Sequence, residues 1–167
     1  LAQQHAVAPS TLLLAVFAHI LRSATADPRA PFALILTLAN RLPLIPASEH
    51  LVAPVVSTTL VRLDPTDSLT TLLPSLQAQL WATLDHPFTS GIAVLRDLKH
   101  QQLLPATTTI PVVFTAMLNA FGSHAQHPSF FPAVDTALTQ TPNVWLDHQL
   151  LERNGALHFN CDILPAA

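Results

Sequence analysis

Val144-Trp145-Leu146-Asp147-His148-Gln149-Leu150-Leu151-Glu152-Arg153-Asn154-Gly155-Ala156-Leu157-His158-Phe159-Asn160-Cys161-Asp162-Ile163 is two alternating runs around an asparagine–glycine pair, the strongest short signal for a two-residue type I′ turn. With those two residues at the turn, Arg153 pairs with Ala156. One face of the hairpin then carries Val144, Leu146, His148 and Leu150 with Phe159, Cys161 and Ile163. The other carries Asp147, Gln149, His158, Asn160 and Asp162, with Trp145 and Leu151. The apolar faces of the two strands coincide, and a slip of one residue would destroy that match. The register sets Asp147 across from Asp162, with Cβ atoms about 4.5–5.5 Å apart. Carboxylates that close resist ionising together, so the pair is expected to titrate in two steps, one of them raised. A β-bulge between the turn and Asp147 is the alternative, and it would separate the two groups.

Upstream of the hairpin, Ile110 to Leu118 reads as a strand, and residues 119–134, with Gly122, Pro128 and Pro132, as a loop. Phe32 to Leu38 is almost continuously apolar, the pattern of a strand buried on both faces. Val55 to Leu63 is β-branched and forms another strand. Helical periodicity runs from Pro9 to about Thr25 through Leu13, Leu14, Phe17, Ala18 and Leu21, with proline tolerated in the first turn. A second stripe, Leu69, Leu72, Leu73, Leu76, Leu80 and Leu84, follows a cap at Asp67 or Ser68. Pro74 interrupts it, so the helix either kinks there or begins there. A shorter helix covers about Gly91 to Gln101. The two prolines of Asn40-Arg41-Leu42-Pro43-Leu44-Ile45-Pro46 require extended, irregular backbone. The alternation predicts an α/β domain with a mixed sheet, flanking helices and a C-terminal β-hairpin.

The 167 residues suffice for one domain. Half of them are apolar and 10% are charged, against roughly 25% charged in an average soluble domain. That deficit, with a start at Leu1 and not at a methionine, predicts a piece of something longer whose apolar surface is covered by more protein. The net charge is −3 and Lys99 is the single lysine, so there is no basic stripe for nucleic acid. The lone Cys161 fits a reducing cytoplasm. No apolar run reaches the ~20 residues of a membrane span, and Ser10 to Leu21 reads as a buried helix. Among nine histidines, His124 and His127 lie three apart in a loop with no third ligand suitably spaced, so no metal site is expected. Three glycines leave no phosphate-cradling loop. His148 and Cys161 read as core packing on the apolar face of the hairpin.

Five segments together resemble the heterocyclisation (condensation-type) domains of nonribosomal peptide synthetases. They are Asn40-Arg41-Leu42-Pro43-Leu44-Ile45-Pro46, Trp81-Ala82-Thr83-Leu84-Asp85-His86, Ser90-Gly91-Ile92-Ala93-Val94-Leu95-Arg96, Pro111-Val112-Val113-Phe114-Thr115 and Thr139-Gln140-Thr141-Pro142-Asn143-Val144-Trp145-Leu146-Asp147-His148-Gln149. The resemblance spans about Pro9 to Asp162, and its last segment is the most distinctive. It implies that residues 1–167 are a single, incomplete C-terminal lobe with a chloramphenicol-acetyltransferase-like fold, one of two lobes around a tunnel. It further implies condensation of carrier-bound acyl or aminoacyl groups with cysteine, serine or threonine, then cyclodehydration to a thiazoline or oxazoline. No cofactor is implied on the lobe itself, because substrates ride on the phosphopantetheine of carrier proteins. The implied partners are the N-terminal lobe, peptidyl or aryl carrier proteins and neighbouring synthetase domains.

The residues matching the family's cyclodehydration pair are Thr115 and Asp147; Asn40 is also implicated, and Gln140, Gln149 and Asp162 are candidates to support them. An aspartate in mid-strand is disfavoured and needs a polar partner, and the Thr115 hydroxyl is expected within hydrogen-bonding reach of Asp147. The alternative is a non-catalytic, degenerate lobe acting as an interaction or scaffold module. It draws on Val52-Ala53-Pro54-Val55-Val56-Ser57, which lacks the family's glycine and aspartate at that place, and on Cys161-Asp162 standing where relatives have tryptophan-aspartate.

Overall fold

The computed structural model describes residues 1–39, 41–46, 48–65, 68–118, 136, 138–153 and 155–164. Asn40, Asp67, His124, His127, Asn154 and the expected loop at 119–134 lie outside the described residues. Five strands form one mixed sheet: β1 (Phe32–Ala39), β2 (Val56–Leu63), β3 (Val112–Met117), β4 (Leu146–Arg153) and β5 (Ala156–Ile163), in spatial order β2-β1-β3-β4-β5. The outer pairs, β1 with β2 and β4 with β5, are antiparallel. The inner pairs, β1 with β3 and β3 with β4, are parallel.

Helices α1 (Pro9–Ser23) and α2 (Leu69–Leu84) cover one sheet face. Their Leu14, Ala15, Ala18, Leu72, Leu73 and Leu76 bury against Leu34, Leu36, Val61, Leu63, Phe114 and Leu150. Pro9 opens α1 with no side-chain cap from Ala8, as a residue that needs no partner for an amide hydrogen can. Ser68 caps α2 by accepting the Thr71 N–H at 3.1 Å. Pro74 sits inside α2, which begins at Leu69, so the helix does not start at the proline. The missing donor frees the carbonyl of Thr70, and Thr70 is exposed, where water can serve it. The Arg22 guanidinium, near the C-terminus of α1, donates to the carbonyls of Pro28, Ala30, Leu63 and Asp64. It thereby ties the helix end to the ends of β1 and β2.

Helix α3 (Gly91–His100) starts with Ser90 accepting the Ala93 N–H. A Cβ on Gly91 would stand 2.8 Å from the Thr59 carbonyl carbon, so only glycine allows this helix so close to β2.

On the opposite face the register aligns a polar row across all five strands: Thr58, Thr37, Thr115, Gln149 and Asn160. The next row is Leu60, Ile35, Val113, Asp147 and Asp162. These side chains are half-buried. Thus β1 buries Leu34 and Leu36 on the helix side, while its other face is only half-covered, a correction to the expectation of burial on both faces. The hairpin's apolar face is likewise split. Leu150 and His148 on β4 are buried, but Phe159 and Ile163 on β5 are 61% and 69% exposed, because β5 is the edge strand. Val52, Phe88, Trp81 and Trp145 are also exposed, the apolar surface that the low charge predicts.

Candidate active site

The hairpin register is regular, with Arg153 opposite Ala156 and Asp147 opposite Asp162. Gly155 has φ +73°, the left-handed conformation a type I′ turn requires. No bulge intervenes, so both carboxylates stand on the polar face.

Their partners differ from the expected one. The Thr115 hydroxyl donates to Thr37 Oγ1 at 2.9 Å and is not bonded to Asp147. The reason is register: Thr115 lies opposite Gln149, and the residue opposite Asp147 is Val113. Thr115 shares the face of Asp147 but stands one row along it. Gln149 bridges the rows, donating from Nε2 to Asp147 Oδ2 at 3.3 Å.

The hydroxyl that does hold the carboxylates belongs to Thr139. Its Oγ1 is 2.8 Å from Asp147 Oδ2 and 2.6 Å from Asp162 Oδ2. Its backbone N–H donates to Asp162 Oδ2 at 2.9 Å. Asn160 adds a longer contact to the same oxygen at 3.4 Å. Asp147 Oδ1 is buried and has no hydrogen-bond partner among the described residues. Sequence reading missed Thr139, although it opens the distinctive segment. The signal was its position eight residues before Asp147 on a chain that must turn back along the hairpin through Pro142 and Asn143. Asn143 takes that turn with φ +64°, and the Trp145 N–H donates to the Pro111 carbonyl to align β4 beside β3.

Thr139, Gln140, Thr141, Pro142, Asp147 and Asp162 line an open cleft of about 520 Å³. Gln140 is exposed at its wall. The structure therefore brings Asp147, Asp162, Gln149 and Gln140 together, and places Thr115 beside them in the adjoining row. Asn40 lies outside the described residues. Among the described residues no group of three histidine, cysteine or acidic side chains is arranged to hold a metal.

The electrostatics follow from these contacts. The Thr139 hydroxyl and then its amide hold the Asp162 carboxyl below the usual carboxylate range. On the other face, His148 stacks on Phe17 at 4.5 Å with rings nearly parallel, and lies near Phe114. Burial pushes its imidazole down, against a smaller upward pull from Asp147. Cys161 Sγ is 3.0 Å from His148 Nδ1, and burial, then the charges of Asp162 and Asp147, push that thiol up. Both shifts favour the neutral forms, so this contact is a hydrogen bond between neutral groups and not a thiolate–imidazolium nucleophile.

A pH dependence follows. The folded His148 resists protonation, while the unfolded chain takes the proton near the ordinary value of about 6.5. Its contribution is full above that value and is lost as pH falls through it. Denaturant midpoints measured above and below that pH should drop on the acid side, and His148→Phe, which keeps the aromatic stack, should remove most of the drop. Equal midpoints for the unaltered chain at both pH values would refute the assignment.

No family model matches the chain. It is 29% identical over 170 residues to pyochelin synthetase PchF of Pseudomonas aeruginosa, covering 97% of this chain and 9% of that protein. It is 30% identical over 165 residues to phenyloxazoline synthase MbtB of Mycobacterium tuberculosis, covering 97% of this chain and 11% of that protein. The chain thus spans about a tenth of the length of the curated relatives it matches. Among solved structures, it superimposes on the EpoB cyclization-docking bidomain of a nonribosomal peptide synthetase from Sorangium cellulosum. The TM-score is 0.74 at 30% identity, over 97% of this chain and 33% of that one.

Proposed function

This chain belongs to the heterocyclisation (condensation-type) domains of nonribosomal peptide synthetases, as a C-terminal lobe with their chloramphenicol-acetyltransferase-like fold, and from that premise we propose that it supplies the acid–base half of a cyclodehydration site. In this reading the cleft beside β4 and β5 faces the substrate. A donor acyl group joins the amine of cysteine, serine or threonine, each delivered on the phosphopantetheine of a carrier protein. The side-chain heteroatom then attacks the new amide carbonyl, and the resulting hydroxyl leaves as water to give a thiazoline or oxazoline. A relative named for phenyloxazoline and another named for cyclization support that choice of chemistry over simple condensation.

Asp147 is the group we assign to proton transfer. The observation that carries this is its placement: half-buried near the start of β4, opposite a second carboxylate, with one oxygen buried and without a hydrogen-bond partner among the described residues. Loss of hydroxide from carbon is slow without an acid, and a positioned carboxyl contributes roughly 10²–10⁴-fold. Thr115 and Gln149 lie in the adjoining polar row, placed to hold the amide of the substrate or the side chains around it. The N-terminal lobe, the carrier proteins and the adjacent synthetase domains are the partners this reading requires.

The test is reconstitution of the synthetase that carries this lobe with carrier proteins loaded with cysteine, serine or threonine. Mass spectrometry of the carrier-bound product should show an amide that has lost one further water. Amide formation with no water loss on any acceptor would overturn cyclodehydration, and no amide at all would favour the scaffold role.

A further inference from the structure

We propose that Thr139 is a positioning residue that converts Asp147 and Asp162 into a store for one proton, with its hydroxyl as the bridge. The inference depends on the reading of Asp147 as the proton-transfer group, and it comes from counting hydrogens. Thr139 Oγ1 lies 2.8 Å from Asp147 Oδ2 and 2.6 Å from Asp162 Oδ2. Both are hydrogen-bond distances for oxygen pairs. A hydroxyl owns one hydrogen and two lone pairs, so it can donate to one carboxylate only. The second short contact needs its own hydrogen, which a carboxyl must bring. Two ionised carboxylates on one hydroxyl would leave an oxygen–oxygen contact with no hydrogen in it.

The surrounding donors settle which carboxyl is the anion. Asp162 Oδ2 also accepts from the Thr139 N–H and lies 3.4 Å from Asn160 Nδ2. Asp147 receives only the long Gln149 contact beyond Thr139, and its other oxygen has no partner among the described residues. Negative charge therefore rests on Asp162, and the proton on the Asp147 side points into Thr139. Gln149 Nε2, 3.3 Å from Thr139 Oγ1, occupies the remaining lone pair. The hydroxyl is then saturated: it accepts from Gln149 and Asp147 and donates to Asp162. The titratable groups facing it are Asp147 from β4 and Asp162 from β5. His148 and Cys161 stand on the opposite face of the same strands, and His158 is exposed farther along β5. Among the described residues neither lysine nor arginine pairs with either carboxylate.

The proton balance of ring formation suits such a store. In the cyclised intermediate the carbon–oxygen bond breaks and its electron pair leaves with the hydroxyl, which takes the stored proton and departs as water. The ring nitrogen's lone pair forms the carbon–nitrogen double bond, and the nitrogen's proton returns to the carboxylate pair. The store holds the same number of protons before and after turnover, so no external acid is consumed.

Thr139→Val keeps the side chain's shape and removes the bridge; Thr139→Ser keeps the hydroxyl. In the reconstituted synthetase, Thr139→Val should lose roughly 10–100-fold in ring formation, the worth of a hydrogen bond to a charged group. Amide formation should be retained, which controls for folding, and Thr139→Ser should restore the ring. The alkaline limb of the ring-forming rate should also move to lower pH in Thr139→Val, because the stored proton loses its acceptor. A purely structural role would lower the rate and leave that limb in place, and so would overturn the proposal. It is equally overturned if Asp147→Asn abolishes the ring while Thr139→Val matches the unaltered enzyme in rate and pH profile. If Asp147→Asn itself leaves ring formation intact, the assignment of Asp147 fails first, and the proton store fails with it.

Discussion

Replacing Asp147 by asparagine is expected to remove ring formation by roughly 10²–10⁴-fold, the contribution of a positioned acid–base group, while amide formation keeps its rate. The split matters more than the size. Asparagine is isosteric, and its side-chain amide can still donate to the Thr139 hydroxyl in place of the carboxyl, so strand pairing with Asp162 and the hairpin are preserved. What it cannot do is donate a carboxyl proton to a departing hydroxyl or take one back. The linear amide should accumulate on the carrier protein, visible as a product one water heavier than the ring. Asp162→Asn should show a milder loss of the same kind, because it removes the anion that receives the Thr139 hydrogen. Equal losses of amide and ring in Asp147→Asn would mean a collapsed tunnel and not a missing acid.

The second large effect is on stability. Phe114 is 1% exposed and sits at the centre of the core, with its ring centroid 5.3 Å from Phe17 and 5.4 Å from His148. Phe114→Ala should cost about 3–5 kcal/mol, from lost transfer energy and the cavity left behind, against a total domain stability of about 5–15 kcal/mol. Because Phe114 precedes Thr115 on β3, the same change should loosen the Thr37–Thr115 contact on the other face. Denaturant unfolding would read the loss directly, with Phe114→Leu as a control expected to cost far less. A loss under about 1 kcal/mol for alanine would show that the core closes over the site easily.

The hairpin was legible in detail because its information is local. Asn154-Gly155 specifies the turn, and the period-2 pattern then dictates every pairing through Asp147 and Asp162. The strands and helices were legible for the same reason, within a residue or two at their ends. What sequence did not reveal was the parallel register of β3 on β4. No turn connects them directly, so nothing local says that Thr115 meets Gln149 and not Asp147. Alternation correctly put Thr115 and Asp147 on one face, but the choice of row belongs to tertiary packing. Thr139 escaped notice on similar grounds: it lies in no regular element, and only the fold of the 138–145 segment back over the strands makes its hydroxyl the bridge.

The two halves of the sheet also differ in how far apart along the chain their contacts lie, and this has a consequence for the order of assembly. The β4–β5 hairpin, with Thr139 close by, draws together residues from a short stretch. The Thr37–Thr115 contact between β1 and β3 spans 78 residues. Closing a long loop carries an entropic cost before any contact rewards it, and non-local strand pairing slows folding. The carboxylate cluster can therefore form early and on its own, while the threonine row waits for β1 and β3 to meet. During synthesis on the ribosome the N-terminal antiparallel pair emerges first, and although α1 and α2 also precede β3 and can cover its apolar face, the backbone edge of β1 is open. It stays so until β3 arrives to join the halves, and that interval is when this lobe is most exposed to aggregation.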